Sequence, residues 1–126
     1  MKEYKVTIDD EGTYRWYNKE GQRHRDEGPA VKFPNGKKYW YKDGKLHRDG
    51  DLPAEEHANG DKLWYQDDRL HRLKGPALIL SDGTKAWYIK GTKYTEKKFN
   101  KKVKKLRSCF DKVIEIDGAK YKLVKA

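Results

Sequence analysis

Three histidine–arginine pairs recur along the chain at nearly equal spacing, and both residue types can bind ligands. The pairs are His24-Arg25, His47-Arg48 and His71-Arg72. Imidazole nitrogen is a common metal ligand, and the planar arginine guanidinium suits phosphates and carboxylates. The pairs therefore raise two possibilities, a metal site and a binding surface for an acidic ligand.

The spacing of the histidines argues against a shared metal ion. If the pairs lie on successive two-strand repeats of a sheet, equivalent residues are about 9–10 Å apart. A zinc ion binds its histidine ligands at about 2.0–2.1 Å, so it cannot collect all three. His57 lies outside the series, and Cys109 is the one cysteine of the sequence. We expect no metal and no other cofactor.

No pattern of residues favours catalysis. Cys109 lacks the local pattern of an activated nucleophile, and a lone cysteine more often packs as a small apolar residue. Acidic pairs such as Asp9-Asp10 and Asp67-Asp68 fall in polar segments typical of turns. No phosphate-binding glycine loop of the nucleotide-hydrolase type is present. We therefore expect a protein that is not an enzyme.

The arginines have two possible roles, which the sequence leaves open. In the structural role, each pairs with a nearby acid, such as Asp26 or Asp49, or covers a neighbouring aromatic ring. In the functional role, Arg25, Arg48 and Arg72, with the histidines beside them, form a column that binds phosphates or acidic side chains of a partner.

Four tryptophan–tyrosine pairs set the period of the chain. They are Trp16-Tyr17, Trp40-Tyr41, Trp64-Tyr65 and Trp87-Tyr88. Successive tryptophans are 24, 24 and 23 residues apart. A fixed period of this length is typical of repeat architectures, which usually serve as binding surfaces.

The repeat unit predicts β-structure. It reads Gly-x-x-x-Trp-Tyr-x-x-Gly-x-x-His-Arg-x-x-Gly-Pro-Ala, and hairpin dipeptides punctuate it at Asn35-Gly36, Asp43-Gly44, Asn59-Gly60 and Asp82-Gly83. The runs between turns are too short for an amphipathic helix. We predict a mainly β, antiparallel hairpin-repeat sheet of about four units and eight short strands over residues 1–94.

Side chains that alternate along a strand place the tryptophans and the tyrosines on opposite faces. One column then forms core and the other a half-exposed framework. Alternatively, the tryptophans form a stacking platform for bases or for a ligand ring. The platform residues would be Trp16, Trp40, Trp64 and Trp87.

Residues 95–126 break the repeat and predict a cap for the array. Glu96–Arg107 has helical spacing, with Thr95 as its N-cap. The apolar face of this helix comprises Phe99, Val103 and Leu106. A terminal hairpin follows, with Val113–Ile116 and Lys120–Val124 on either side of Asp117-Gly118.

The net charge of +10 is concentrated in this cap. Residues 1–95 hold 19 basic and 16 acidic residues, whereas residues 96–126 hold 11 and 4. The lysines of the predicted helix are Lys97, Lys98, Lys101, Lys102, Lys104 and Lys105. They form either a solvated face or a contact with an acidic partner, and acidic i,i+4 neighbours that would favour the first role are almost absent.

Composition predicts a cytoplasmic protein without a membrane span. The N-terminus lacks the apolar segment of a signal peptide, and no stretch approaches the ~20 apolar residues of a spanning helix. A single cysteine permits no intrachain disulfide, in keeping with a reducing compartment. Exposed sheet edges could pair two copies into a homo-oligomer.

The repeat resembles the MORN family, whose units are hairpins. It is similar in particular to a MORN-like variant of small proteins from bacteriophages and large DNA viruses. The matching segments are Trp40–Arg48, Lys93–Phe99 and, more loosely, Ile114–Leu123. Ordinary MORN units carry glycine after the histidine. Arginine stands there in this chain, which argues against transferring the lipid-binding role of some MORN proteins.

The resemblance and the basic cap together indicate a phage-type accessory protein in the host cytoplasm. We expect it to bind and inhibit a host factor, such as a defence nuclease, through an acidic protein surface or the nucleic acid of a host complex. Two alternatives stay open. One is a sequence-independent nucleic-acid-binding protein, and the other is a protein that sequesters a small signalling nucleotide.

Overall fold

The chain forms two compact units. The structure is a computed structural model that describes residues 5–110, 113–116 and 119–122, with side chains from 5 to 107. The units are Met1–Lys93 and Tyr94–Ala126. The fold is mainly β and antiparallel with one C-terminal helix, as the sequence predicts.

The repeat region consists of very short strands. In chain order they are β1 Lys5–Ile8, β2 Tyr14–Tyr17, β3 Val31–Lys32, β4 Lys38–Tyr39, β5 Tyr41–Lys42, β6 Lys45–Leu46, β7 Glu55–Glu56, β8 Lys62–Leu63, β9 Tyr65–Gln66, β10 Arg69–Leu70, β11 Leu78–Ile79, β12 Lys85–Ile89 and β13 Thr92–Tyr94. Nine of them form one sheet in the order β1-β2-β3-β4-β7-β8-β11-β12-β13. The pairs β5–β6 and β9–β10 form separate two-stranded hairpins.

The strands outnumber the predicted eight because the chain changes partner at the tryptophan. The Trp40 N–H donates to the Ala54 carbonyl at 2.7 Å, while the Trp40 carbonyl accepts the His47 N–H at 3.0 Å. Before Trp40, β4 pairs with β7 of the large sheet; after it, β5 pairs with β6 of the small hairpin. Trp64 makes the same two kinds of bond. The segment around each of these tryptophans, which the sequence pattern predicts as one strand, therefore forms two strands.

Two-residue turns close the small hairpins. Asp43-Gly44 has φ angles of 49° and 83°, and Asp67-Asp68 has 50° and 66°. Two successive positive φ angles match the right-handed twist of a tight hairpin. Aspartate is one of the few residues with a side chain that tolerates this region, which explains why Asp68 can replace the glycine of the other units.

Strand register separates two faces of the nine-stranded sheet, because residues directly opposite each other share a face. One face, the packed face, carries Thr7, Arg15, Val31, Tyr39, Glu55, Leu63, Leu78 and Ala86. Val31 is 3% exposed and Ala86 is 8% exposed. Val31 and Ala86 are the buried apolar residues that this face supplies to the small core of the repeats.

The opposite face, called the open face, is wetter. Its residues are Ile8, Tyr14, Lys32, Lys38, Glu56, Lys62, Ile79 and Lys85. Ile8 is 60% exposed and Tyr14 is 42% exposed. Trp16 lies toward this face, since the Tyr14 and Trp16 rings stack with centroids 5.8 Å apart. Tyr41, by contrast, contacts Tyr39 of the packed face, at 6.4 Å.

The second unit begins with helix α1, Glu96–Phe110, which continues three residues beyond its predicted end. The Thr95 hydroxyl accepts the Lys98 N–H at 3.2 Å, which confirms the predicted N-cap. Phe99 and Val103 are buried, and Leu106 is half-buried. No helix among the described residues is long and apolar enough to cross a membrane.

Two strands follow the helix, β14 Val113–Ile116 and β15 Ala119–Lys122, paired antiparallel as the sequence predicts. The predicted turn Asp117-Gly118 and the predicted strand end Leu123-Val124 lie outside the described residues. So does the side chain of Cys109, although its backbone belongs to α1.

Acid should destabilise the repeats. Four aspartates have pKa values held below the ordinary 3.8 by hydrogen bonds. Each with its strongest partner, they are Asp9 with Arg15, Asp49 with His47, Asp61 with the Ser81 main chain, and Asp82 with Thr84. A lowered native pKa stabilises the fold above 3.8, and this contribution is lost as the pH falls through the native value.

We therefore expect the urea midpoint, followed by tryptophan fluorescence, to fall between about pH 4 and pH 2.5. Asp61→Asn should lower the midpoint at pH 7 and reduce its dependence on pH, because the charge that attracts the Ser81 N–H is gone. A midpoint that stays constant or rises over this acid range would contradict the prediction.

Candidate functional site

The arginine of each histidine–arginine pair lies over the tryptophan ring of its own unit. The distance from Cζ to the ring centroid is 4.0 Å for Arg25 over Trp16, 3.7 Å for Arg48 over Trp40 and 4.0 Å for Arg72 over Trp64. A guanidinium within about 6 Å of an indole face is attracted to it electrostatically. The arginines therefore cover aromatic rings, which is one form of the structural role considered from the sequence.

A proline carbonyl holds each guanidinium in place. Nη1 of Arg25 donates to the Pro29 carbonyl at 3.3 Å. Nη1 of Arg48 donates to the Pro53 carbonyl at 3.0 Å, and Nη1 of Arg72 donates to the Pro76 carbonyl at 3.2 Å. We call this arrangement of tryptophan, arginine and proline the clamp. The glycine before the proline belongs to it in two units, because a Cβ on Gly28 would lie 3.0 Å from Cζ of Arg25.

The acids that follow the pairs bind the histidines instead of the arginines. His24 Nε2 lies 2.8 Å from Oδ1 of Asp26, and His47 Nε2 lies 2.8 Å from Oδ1 of Asp49. The arginine–acid pairing considered for Asp26 and Asp49 is therefore not what the structure shows. Arg48 pairs with Glu56 at 3.2 Å.

Asp51, in the loop between Arg48 and Pro53, binds the clamp of the next unit along the chain. Nε and Nη2 of Arg72 donate to its carboxylate at 2.9 and 3.3 Å, and the Asp51 carbonyl accepts Nε1–H of Trp64 at 3.1 Å. The loop that interrupts the repeat pattern thus reinforces a clamp. Nothing in the sequence spacing indicated this partner.

The other ring nitrogen of each histidine joins one unit to the next. Nδ1 accepts a turn N–H: His24 from Asp43 at 2.9 Å, His47 from Asp67 at 3.3 Å, and His71 from Lys90 at 2.9 Å. Each histidine therefore couples successive hairpins. Among the described residues, no group of three or more histidine, cysteine, aspartate and glutamate side chains could hold a metal ion.

The clamp restricts what the tryptophans can bind. One face of Trp16, Trp40 and Trp64 is already covered by a guanidinium, and Trp64 is only 7% exposed. A base or a nucleotide ring would have to displace an arginine to stack on that face. Trp87 follows the same repeat but precedes Thr92-Lys93, where the histidine–arginine pair is missing from the sequence. A role for these tryptophans in partner binding stays a prediction.

Sequence reasoning missed four lysines of the repeats. Lys32, Lys38, Lys62 and Lys85, called the lysine row, lie on the open face. The available signal for Lys38, Lys62 and Lys85 was the tripeptide Lys-x-Trp, which becomes Tyr14-Arg15-Trp16 in the first unit. Alternation then places each lysine on the same side as its tryptophan.

The lysines of α1 belong to the second compact unit. Lys97, Lys98, Lys101, Lys102, Lys104 and Lys105 are all exposed. The ion pairs found among the described residues include none of them. Phe99 and Val103 are the buried positions of the helix, at 3% and 8% exposed.

No protein-family model, curated protein or solved structure matches this chain. The similarity to MORN-like repeats therefore remains an expectation from sequence.

Arg48→Ala tests the clamp. Losing the cation–π contact and the bond to Pro53 should lower the free energy of unfolding by about 1.5–3 kcal/mol. Urea unfolding followed by tryptophan fluorescence measures this change. The matched control is Arg23→Ala, whose Cζ lies 5.6 Å from the Tyr41 ring in an exposed position, and which should cost under about 0.5 kcal/mol. Equal effects of the two variants would refute a structural role for the clamp.

Proposed function

We propose that the protein is a non-enzymatic binding protein that docks on an acidic surface of a host protein or nucleoprotein and inhibits it. The observation that carries the proposal is the exposed lysine array of α1, which has no ion-pair partners among the described residues. The viral, MORN-like resemblance supplies the biological setting, an accessory factor directed against a host defence protein.

The charge pattern of α1 has an energetic cost that a partner would offset. Lys97 and Lys101, Lys98 and Lys102, and Lys101 and Lys105 are like-charged neighbours four residues apart. Each such pair destabilises a helix by about 0.2–0.5 kcal/mol. Glu96 is the single acid of the helix, and it lies in the first turn. An acidic surface placed over the array would convert this repulsion into attraction and would speed association.

The repeats support binding as a rigid frame. Their histidines and arginines make bonds within and between units, and these bonds hold the repeats in a defined order. We assign these residues to the frame of the protein and assign recognition to the lysines.

Capture from host lysate tests the proposal. The tagged full-length chain should retain a specific partner, and nuclease treatment of the lysate should leave a protein partner bound. The variant with Lys97, Lys98, Lys101 and Lys102 all changed to Gln should lose most of that partner, because four charges are removed from one helix face. Quantitative mass spectrometry of the captured proteins measures the loss.

A matched variant separates this effect from net charge. Lys19, Lys42, Lys45 and Lys90, all exposed and all in the repeat region, are changed to Gln together. This control should retain the partner. The helix variant should melt at the same temperature as the parent or higher, since like-charge repulsion is removed. Retention of the partner by the helix variant, or equal loss in both variants, would refute the assignment to α1.

A further inference from the structure

The open face of the repeats carries a second set of cations, distinct from α1. Strand spacing of about 4.8 Å places Lys32 beside Lys38, and places Lys38, Lys62 and Lys85 about 9–10 Å apart in turn. The register brings these residues directly opposite one another or opposite a shared neighbour. The lysine row therefore runs across the strands in register, as a line of positive charge.

The lysine row does not improve the stability of the sheet. Lys32 and Lys38 are directly opposite each other, and like charges in this position destabilise a strand pair. Glu56 stands between Lys38 and Lys62, but the ion pair it makes is with Arg48. None of the four lysines forms an ion pair with another described residue. The arrangement costs free energy unless an anion covers it.

An exposed aromatic ring begins the row. Tyr14 is 42% exposed, stacks on Trp16, and lies directly opposite Lys32. Trp16 is in turn covered by Arg25, so the Tyr14 ring is held by a stack beneath it. A supported, solvent-facing ring next to lysines is a stacking position for a nucleic acid base.

We propose that the open face binds single-stranded nucleic acid, with the lysine row on the phosphates and Tyr14 stacked on a base. A single strand is favoured over a duplex because an unpaired base leaves its face free for Tyr14. It is favoured over an acidic protein because the lysines follow one another in register across successive strands, as a polymer with one charge per nucleotide requires. The site belongs to the repeat unit and does not depend on the function assigned to α1.

The test uses the full chain already carrying the four Lys→Gln changes in α1, so that the helix cannot account for binding. Its affinity for a fluorescein-labelled 20-nucleotide oligothymidylate is measured by anisotropy between about 50 and 200 mM salt. In this background, Lys38, Lys62 and Lys85 are changed to Gln together. The matched control changes Lys19, Lys42 and Lys45, which lie outside the nine-stranded sheet.

The lysine-row variant should bind at least about tenfold more weakly, and its log–log salt slope should be shallower by about 2, because each phosphate contact to a single strand contributes about 0.7. The control should keep the parent affinity and slope. Equal weakening in the two variants would show a general charge effect and would overturn the proposal, as would an undetectable interaction of the parent at 50 mM salt.

Tyr14 provides the second readout. Tyr14→Leu should weaken binding roughly 5- to 150-fold, the usual range for a lost base stack, while Tyr14→Phe should leave it unchanged. An unaltered melting temperature for both variants shows that the fold is retained. Two competition results would overturn the proposal: a 20-base-pair duplex that displaces the label as well as the single strand does, or polyglutamate that does so equally well.

Discussion

The stacking of an arginine guanidinium on a tryptophan face is the interaction on which the repeat array depends. A chain that is only 35% hydrophobic and 40% charged cannot build a thick apolar core. Its core side chains are correspondingly small, with Ala30, Ala54 and Ala77 completely buried. The clamp compensates for the thin core. The aliphatic stem and the planar guanidinium of an arginine cover a large ring, and the N–H groups of the guanidinium can still donate hydrogen bonds.

The clamp also lies where the chain changes its strand partner. At Trp40 and Trp64 the N–H belongs to the large sheet, and the carbonyl belongs to the small hairpin. Fixing the indole thus fixes the junction between two pairing systems. The neighbouring histidine accepts a hydrogen bond from the turn of the next unit, so the position of one unit fixes the position of the following unit. Nearest-neighbour coupling of this kind is how repeat arrays obtain their stability.

This use of cations for structure divides the basic residues into two classes. The arginines and histidines of the repeats contact rings, carbonyls and carboxylates inside the array. The lysines of α1 and of the lysine row make no ion pairs among the described residues. Arginine is better suited to the first task because its head is planar and weakly hydrated, whereas the strongly hydrated lysine ammonium stays at the surface. We therefore propose that the lysines recognise an acidic partner.

The sequence by itself determined the period, the β-class, the hairpin turns and the helix with its Thr95 cap, because each depends on local spacing or on the φ preference of one or two residues. It left the role of Arg48 open and gave no sign that Asp51 would bind Arg72. Only the tertiary structure decided these pairings, and only strand register brought Lys32, Lys38, Lys62 and Lys85 into one row. Such contacts join residues far apart in the chain, so they follow from which strands meet and in what alignment, and local sequence does not specify that.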